Sequence, residues 1–197
     1  MNIIIIIIII IFILLIFYIL NTRSHIQLFR KQKLDVAVIV EPRKDELLIK
    51  VIHNYLKLLP KNTKIQIFHG LNNEKFLLDN FSQEIFNNKI ILTKLNRTNL
   101  TIKDYNFLLT SKDFYNRING ENILIFQMDT CLCSNTKYKI EDFLIYDYVG
   151  APFINQEYMK YEYNNKIYKV KLDNKIGNGG LSLRKKSKIL QYLNESK

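Results

Sequence analysis

From Ile3 to Leu20 the chain carries no charged residue, no proline and no glycine. As a helix this run would reach about 27 Å at about 1.5 Å per residue, near the thickness of a thin bilayer core. A cleaved signal peptide is the rival reading. It has a basic start, an apolar stretch of about 7–15 residues and a small-x-small cleavage site. Here the amino terminus is the only early positive charge, the apolar run is longer, and Asn21-Thr22-Arg23-Ser24 is a poor cleavage site. The sequence therefore predicts an uncleaved membrane anchor over residues 1–21, a basic juxtamembrane linker over 22–34 and one folded domain over 35–197. The positive-inside rule, applied to Arg23, Arg30, Lys31 and Lys33, would keep that domain cytoplasmic. A lumenal enzyme would break the rule, and the side of the membrane stays open.

The remainder of the 197 residues is long enough to bury one proper core, and 48% hydrophobic residues exclude extensive disorder. The net charge of +11 suits an anionic partner: nucleic acid, anionic lipid or a phosphorylated substrate. Abundant Ile, Asn, Lys, Tyr and Phe beside scarce Ala, Gly and Pro are what AT-rich codons produce, so lysine frequency by itself carries little. Beyond the linker the basic residues cluster only at Arg184, Lys185, Lys186 and Lys188. No aromatic-interleaved basic stripe suited to single strands is present, so nucleic acid is not the expected partner. Cys131 and Cys133 sit at what reads as a strand end, where both would face one way, too far apart for a disulfide. Two cysteines alone make no zinc site, and they are expected as small packed core residues.

Asp35 to Glu41 is a short β-branched run and reads as a buried first strand, ended by Pro42-Arg43. From Lys44 to Leu59, apolar residues at Leu47, Leu48, Val51, Ile52, Tyr55, Leu56 and Leu59 make one helical face, closed by Pro60. Lys64–Gly70 reads as a second strand, Asn73–Phe81 as a short helix and Lys89–Leu95 as a third strand. Thr101 and Asp104 stand at capping-box spacing before helical patches at Ile102–Leu109 and Lys112–Ile118. Asn122–Asp129 is the clearest strand, Tyr146–Val149 a short fifth, and Tyr161–Val170 a hairpin turning at Asn164-Asn165. This alternation predicts a Rossmann-like, mixed but mainly parallel sheet with helices on both sides. Such sheets bind ligands at the carboxyl ends of their strands. Glu41, Arg43, His69, Gly70, Asn96, Arg97 and Asp129 stand there. Some of these simply mark where strands meet solvent; Asp129, following an apolar run, is explained least well that way. Gly177-Asn178-Gly179-Gly180 reads as a glycine loop that a ligand can approach closely, or as a plain turn. It matches no phosphate-loop pattern.

Several blocks together resemble a known family. These are Ile125–Asp129, Asp142-Phe143, Tyr146-Asp147-Tyr148-Val149-Gly150-Ala151-Pro152 and Gly177-Asn178-Gly179-Gly180-Leu181-Ser182-Leu183-Arg184. Val38–Arg43 and Gln66–Gly70 resemble its opening blocks. The family is uncharacterised, catalogued as a domain of unknown function, and is regarded as similar to nucleotide-sugar glycosyltransferases of the A-type, Rossmann-like fold. The resemblance implies an endomembrane transferase that moves a sugar from a nucleoside diphosphate to a glycan or protein acceptor. It implies Glu41, Arg43, His69 and Asp129 on the donor side. It places Gly177, Asn178, Gly179, Gly180 and Arg184 on the acceptor side.

In that fold the strand ending here in Asp129 usually carries Asp-x-Asp, which holds Mn²⁺ or Mg²⁺ against the donor's diphosphate. This chain has Asp129-Thr130-Cys131, one carboxylate with a thiol where the second would stand, and thiolate suits Mg²⁺ poorly. Asp129 remains the metal candidate; Arg43 or Arg184 is the alternative source of charge. Relatives continue past the Leu-Ser-Leu-Arg block into an acidic segment that would hold a base, so the resemblance also implies a C-terminally truncated or inactive version. Asp129, Asp147 and Asp173 are the carboxylates left for catalysis. The rival readings are a non-catalytic relative that binds a nucleotide sugar or glycan, and a basic module for nucleic acid or anionic lipid. Sequons at Asn80, Asn96, Asn99 and Asn194 are what an Asn-rich chain produces by accident.

Overall fold

The computed structural model describes residues 10–18, 32–152, 158–163, 166–171 and 176–195. The chain divides into two compact units, residues 1–32 and 33–197. In the first, residues 10–18 form a helix, α1, with exposed apolar side chains. Among the described residues no helix is long and apolar enough to cross a membrane. The rest of the Ile3–Leu20 run, and Arg23, Arg30 and Lys31, lie outside the described residues.

The second unit is built around β1 (Val36–Glu41), every residue of which is buried. A strand so apolar must be covered on both faces, and the flanking elements do this. α2 (Glu46–Leu58) starts at Asp45, whose side chain accepts from the Leu47 N–H at 2.8 Å. It buries Leu48, Ile49, Val51, Ile52 and Tyr55. β2 (Lys64–His69) pairs in parallel with β1, and β3 (Ile90–Lys94) in parallel with β2. Between them α3 (Glu74–Phe86) runs past the expected stop at Phe81. The chain kinks there, with φ −133° and ψ 29°, and continues. Phe81 is fully buried, and this packing holds the kink without ending the helix. α4 (Ile102–Leu109) begins with the expected capping box, Asp104 N–H to Thr101 Oγ1 at 3.1 Å and Thr101 N–H to Asp104 Oδ2 at 3.2 Å. α5 (Lys112–Asn116) follows.

β4 (Asn122–Phe126) then returns to the other side of β1, again parallel. It stops three residues before Asp129. The Thr130 backbone N–H and hydroxyl both donate to the Gln127 carbonyl, at 3.2 and 2.7 Å, and turn the chain out of the sheet. β5 (Tyr148–Pro152) begins two residues later than expected. β6 (Tyr158–Tyr163) and β7 (Lys166–Lys171) form the expected hairpin as a separate two-stranded sheet. Asn164 and Asn165 lie outside the described residues, as does Asp173. The expected glycine loop is instead part of a strand: β8 (Ile176–Lys185) contains Gly177 to Gly180 and lies between β4 and β5, antiparallel to both. α6 (Lys186–Glu195) closes the described chain.

The six-stranded sheet has the order β3-β2-β1-β4-β8-β5, mixed but parallel through its first four strands. Period-two alternation sorts its side chains. Ala37, Ile39, Ile65 and Ile67 pack with the α2 and α3 residues Leu48, Ile52, Leu77 and Phe81. Val36, Val38 and Ile125 pack with Leu109, Phe114 and Tyr115 of α4 and α5, and Ile189, Leu190 and Leu193 of α6 lie against that side. The result is a three-layer, Rossmann-like α/β unit. The chain leaves β1 toward β2 and β3, then crosses back to β4, so the order reverses between β1 and β4. Connections diverge at that point and leave a crevice at the carboxyl ends of the strands.

Candidate functional site

A cleft of about 1070 Å³ opens at this crevice. Three stretches far apart in the sequence line it: Glu41–Arg43 after β1, Gln127–Asp129 after β4, and Gly179, Gly180 and Arg184 on β8. The start of α4 adds Thr101 and Tyr105, and β5 adds Tyr148.

The first stretch is fixed by a residue that the sequence pattern leaves anonymous. Asn73, fully buried, donates to the Glu41 and Arg43 carbonyls, both at 2.9 Å, and accepts from the Gly70 N–H at 2.8 Å. It thereby ties the exit of β1 to the exit of β2. Gly70 has no room for a side chain, because a Cβ there would meet the Pro42 carbonyl oxygen at 2.3 Å. On this corner Glu41, only 5% exposed, takes Arg43 in a two-pronged pair, Nε to Oε1 and Nη2 to Oε2, each at 2.8 Å. The Arg43 backbone N–H adds a third bond to Oε1 at 2.9 Å. The Glu41 hydrogen bonds, then its charge, raise the Arg43 pKa above its ordinary value. The two charges offset each other within the corner. His69 does not reach the cleft lining as the donor-side reading required: it is buried, and its Nδ1–H donates to the Gly70 carbonyl at 2.9 Å.

The second stretch hangs from α2. Thr130 Oγ1, already donating to Gln127, accepts the Tyr55 hydroxyl at 2.8 Å, and the Tyr55 ring stacks on Phe126 at 3.8 Å. Asn54 holds both backbone groups of Leu132, accepting from its N–H at 2.8 Å and donating to its carbonyl at 3.2 Å. Asp129 is thus presented, exposed, on a turn anchored one residue later. Cys131 and Cys133 are free and exposed, not packed in a core. The chain has left the sheet before reaching them, so the expected strand geometry does not apply.

The third stretch depends on a bulge. Gly150 pairs with Ser182, but the next residue, Ala151, pairs with Asn178, so Gly179, Gly180 and Leu181 leave the ladder. A bulge of this kind re-aims the strand, and here two of its residues line the cleft. Gly177 and Asn178 precede it on β8. Arg184 is rooted opposite Ile123 near the start of β4, and its guanidinium reaches back along β8. Nη1 donates to Tyr115 Oη at 2.6 Å, Nε to Ser182 Oγ at 3.0 Å and Nη2 to the Gly179 carbonyl at 3.5 Å. Tyr115 passes its own proton to the Leu109 carbonyl at 3.0 Å, and the guanidinium lies 5.6 Å from the Tyr148 ring centre. Burial, ahead of any other influence, raises the pKa of the Tyr105 and Tyr115 hydroxyls. Asp147 is not in this assembly: it is exposed on the approach to β5 and pairs with Lys185 at 3.1 Å.

Two cations and two carboxylates line the cleft among the described residues, and one of each is consumed in the Glu41–Arg43 pair. Among the described residues no three His, Cys, Asp or Glu side chains lie close enough to hold a metal ion. Asp129 is, among the described residues, the one cleft carboxylate not engaged in an ion pair, since Glu41 is bonded to Arg43.

Sheet order defines the chain as a Rossmann-like α/β protein, with a cleft at the point where strand order reverses. It belongs to the family described as Protein of unknown function (DUF5672), which it matches over residues 89–197. That span carries the Asp129 turn and the β8 bulge; the Glu41–Arg43 corner precedes it. No curated protein matches the chain.

Burial pushes the Tyr55 pKa from 10.0 up to about 12, although its bond to Thr130 works the other way. The folded state therefore favours the neutral phenol. That stabilisation is complete below pH 10, the unfolded value, and is lost as pH rises through 12, the folded one. Tyr55→Phe is expected to flatten the fall in unfolding free energy between pH 10 and 12, measured by urea titration beside the parent. Parallel curves would contradict the assignment.

Proposed function

We propose that the protein is a glycosyltransferase-like enzyme whose cleft binds a nucleoside-diphosphate sugar and passes the sugar to a hydroxyl of a glycan or protein acceptor. The observation that carries this reading is convergence. The Glu41–Arg43, Asp129 and Gly179–Arg184 blocks, scattered along the sequence, line one cleft at the switch point of an α/β sheet. Nucleotides favour that position, since the carboxyl ends of parallel strands present backbone and side-chain groups around a crevice. In the transfer, the acceptor oxygen bonds to the anomeric carbon while the bond from that carbon to the diphosphate oxygen breaks. The diphosphate leaves with the electron pair, and the acceptor's hydroxyl proton passes to Asp129, the cleft carboxylate outside the described ion pairs. Glu41 and Arg43 shape the donor end as a rigid neutral pair. No step is assigned to Mn²⁺ or Mg²⁺.

A uridine or guanosine diphosphate present at about 100 times its Kd stabilises the fold by about 2.7 kcal/mol. For a domain of this size that raises the Tm by roughly 5–10 °C. Asp129→Asn is expected to keep this shift and to lower sugar transfer by about 10²-fold or more, as loss of a general base does. A shift without transfer by the parent protein would establish a non-catalytic binder. No shift with any nucleoside diphosphate, beside salt-sensitive binding to nucleic acid, would replace the reading with the basic-module one.

The same proposal includes an anchor: Ile3–Leu20 inserts in an endomembrane and remains uncleaved. Its length and lack of charge support this. The full chain is expected to stay with carbonate-washed membranes and to retain Ile3 at its amino end. A soluble product starting near Arg23 would refute the anchor.

A further inference from the structure

We infer that the cleft holds its ligand's diphosphate through Arg184 and without a divalent ion, Arg184 standing as a pre-positioned cation in a socket of neutral groups. The choice of diphosphate rests on the nucleotide-sugar reading; the anion site itself rests on the socket.

The two cleft arginines differ in one decisive respect. Arg43 carries its counter-charge with it, because buried Glu41 takes two of its guanidinium donors. Arg184 enters none of the described ion pairs. Among the described residues its hydrogen-bond partners are a phenol, a hydroxyl and a backbone carbonyl. A guanidinium has five N–H donors, so these leave one on each terminal nitrogen. Among the described residues, then, this half-buried cation has given up hydration to neutral hydrogen-bond partners and forms no ion pair, and an anion entering the cleft supplies one. A planar fork with free terminal donors suits phosphate oxygens.

The surrounding residues serve to hold that fork still. Tyr115 gives its proton to the Leu109 carbonyl, which turns a lone pair toward Arg184 Nη1. Ser182 gives its proton to the Gly179 carbonyl at 3.2 Å and so presents a lone pair to Nε. At Gly179 a Cβ would stand 2.9 Å from Nη2, so the glycine is where the guanidinium needs the space. The glycine block, read from sequence as an acceptor loop, is on this account the wall of a diphosphate socket. In water-poor surroundings a fixed cation of this kind stabilises charge developing on a leaving diphosphate with no reorganisation. That is the work a metal held by paired carboxylates would otherwise perform, and among the described residues the cleft has one carboxylate outside the ion pairs, Asp129.

The test is calorimetric titration of inorganic pyrophosphate, and separately of uridine diphosphate, into the detergent-solubilised full chain with chelator present. Both are expected to bind. Arg184→Gln should weaken each by about 10- to 100-fold, the range for a charge-assisted hydrogen bond. Lys188→Gln, which removes an exposed charge on α6 outside the cleft lining, should change each by about twofold or less. Gly179→Ala, which keeps the charge and displaces the guanidinium, should weaken both; it also decides the matter if Arg184→Gln fails to fold. Binding that needs Mn²⁺ or Mg²⁺ and is indifferent to Arg184 and Gly179 would overturn the inference and leave the nucleotide reading standing. Pyrophosphate bound through Arg184, with uridine and guanosine diphosphates no tighter, would uphold the socket and overturn the nucleotide. No binding of either probe would overturn both.

Discussion

β1 is buried from Val36 to Glu41, and the rest of the fold follows from the need to cover it. A strand apolar on both faces requires a helix layer on each side and a hydrogen-bonded strand at each edge. α2 and α3 supply one layer, α4 to α6 the other, and β2 and β4 the edges. With β1 in the middle and its two neighbours reached by connections running opposite ways, a crevice at its carboxyl end is unavoidable. The strand also delivers a buried carboxylate, Glu41, to that crevice. Such a group demands compensation, and Arg43 provides it two residues later.

Elements set by local pattern were legible in the sequence. β-branched runs gave the parallel strands, the spacing from Leu48 to Tyr55 gave α2, and Thr101 with Asp104 gave the start of α4. What was not legible depended on partners distant in sequence. Nothing near Asn73 announces that it joins β1 to β2, because its three bonds are to backbone groups brought close only by the sheet. β4 ends at Phe126 and not at Asp129 because the Thr130 hydroxyl and N–H turn the chain on the Gln127 carbonyl, which a local apolar pattern does not reveal. The glycine block reads as a loop or turn because flexibility is the commonest use of clustered glycine. In β8 it serves a bulge and the close approach of Arg184.

The candidate site shows the same division. Strand-end residues at Glu41, Arg43 and Asp129 were found from architecture alone, and the three do line one cleft. His69 satisfies the same criterion, yet it is turned into the protein; Asp147, a carboxylate left for catalysis by the family resemblance, is drawn off by Lys185. Arg43 and Arg184 are equivalent as letters. Only the fold reveals that one sits beside a carboxylate and the other beside Tyr115, 69 positions earlier in the chain. The difference between them is electrostatic, and it arises from pairing rather than from residue type.

The central claim is that the crevice between β1 and β4 takes a diphosphate on Arg184. A crystal structure of the protein with uridine diphosphate tests it most directly. Phosphate oxygens are expected within hydrogen-bonding distance of the terminal nitrogens of Arg184, between the Gln127–Asp129 turn and the β8 bulge. A nucleotide bound outside this crevice would contradict it. So would a diphosphate held by a metal ion on Asp129, with Arg184 still bonded to Tyr115, Ser182 and Gly179 alone.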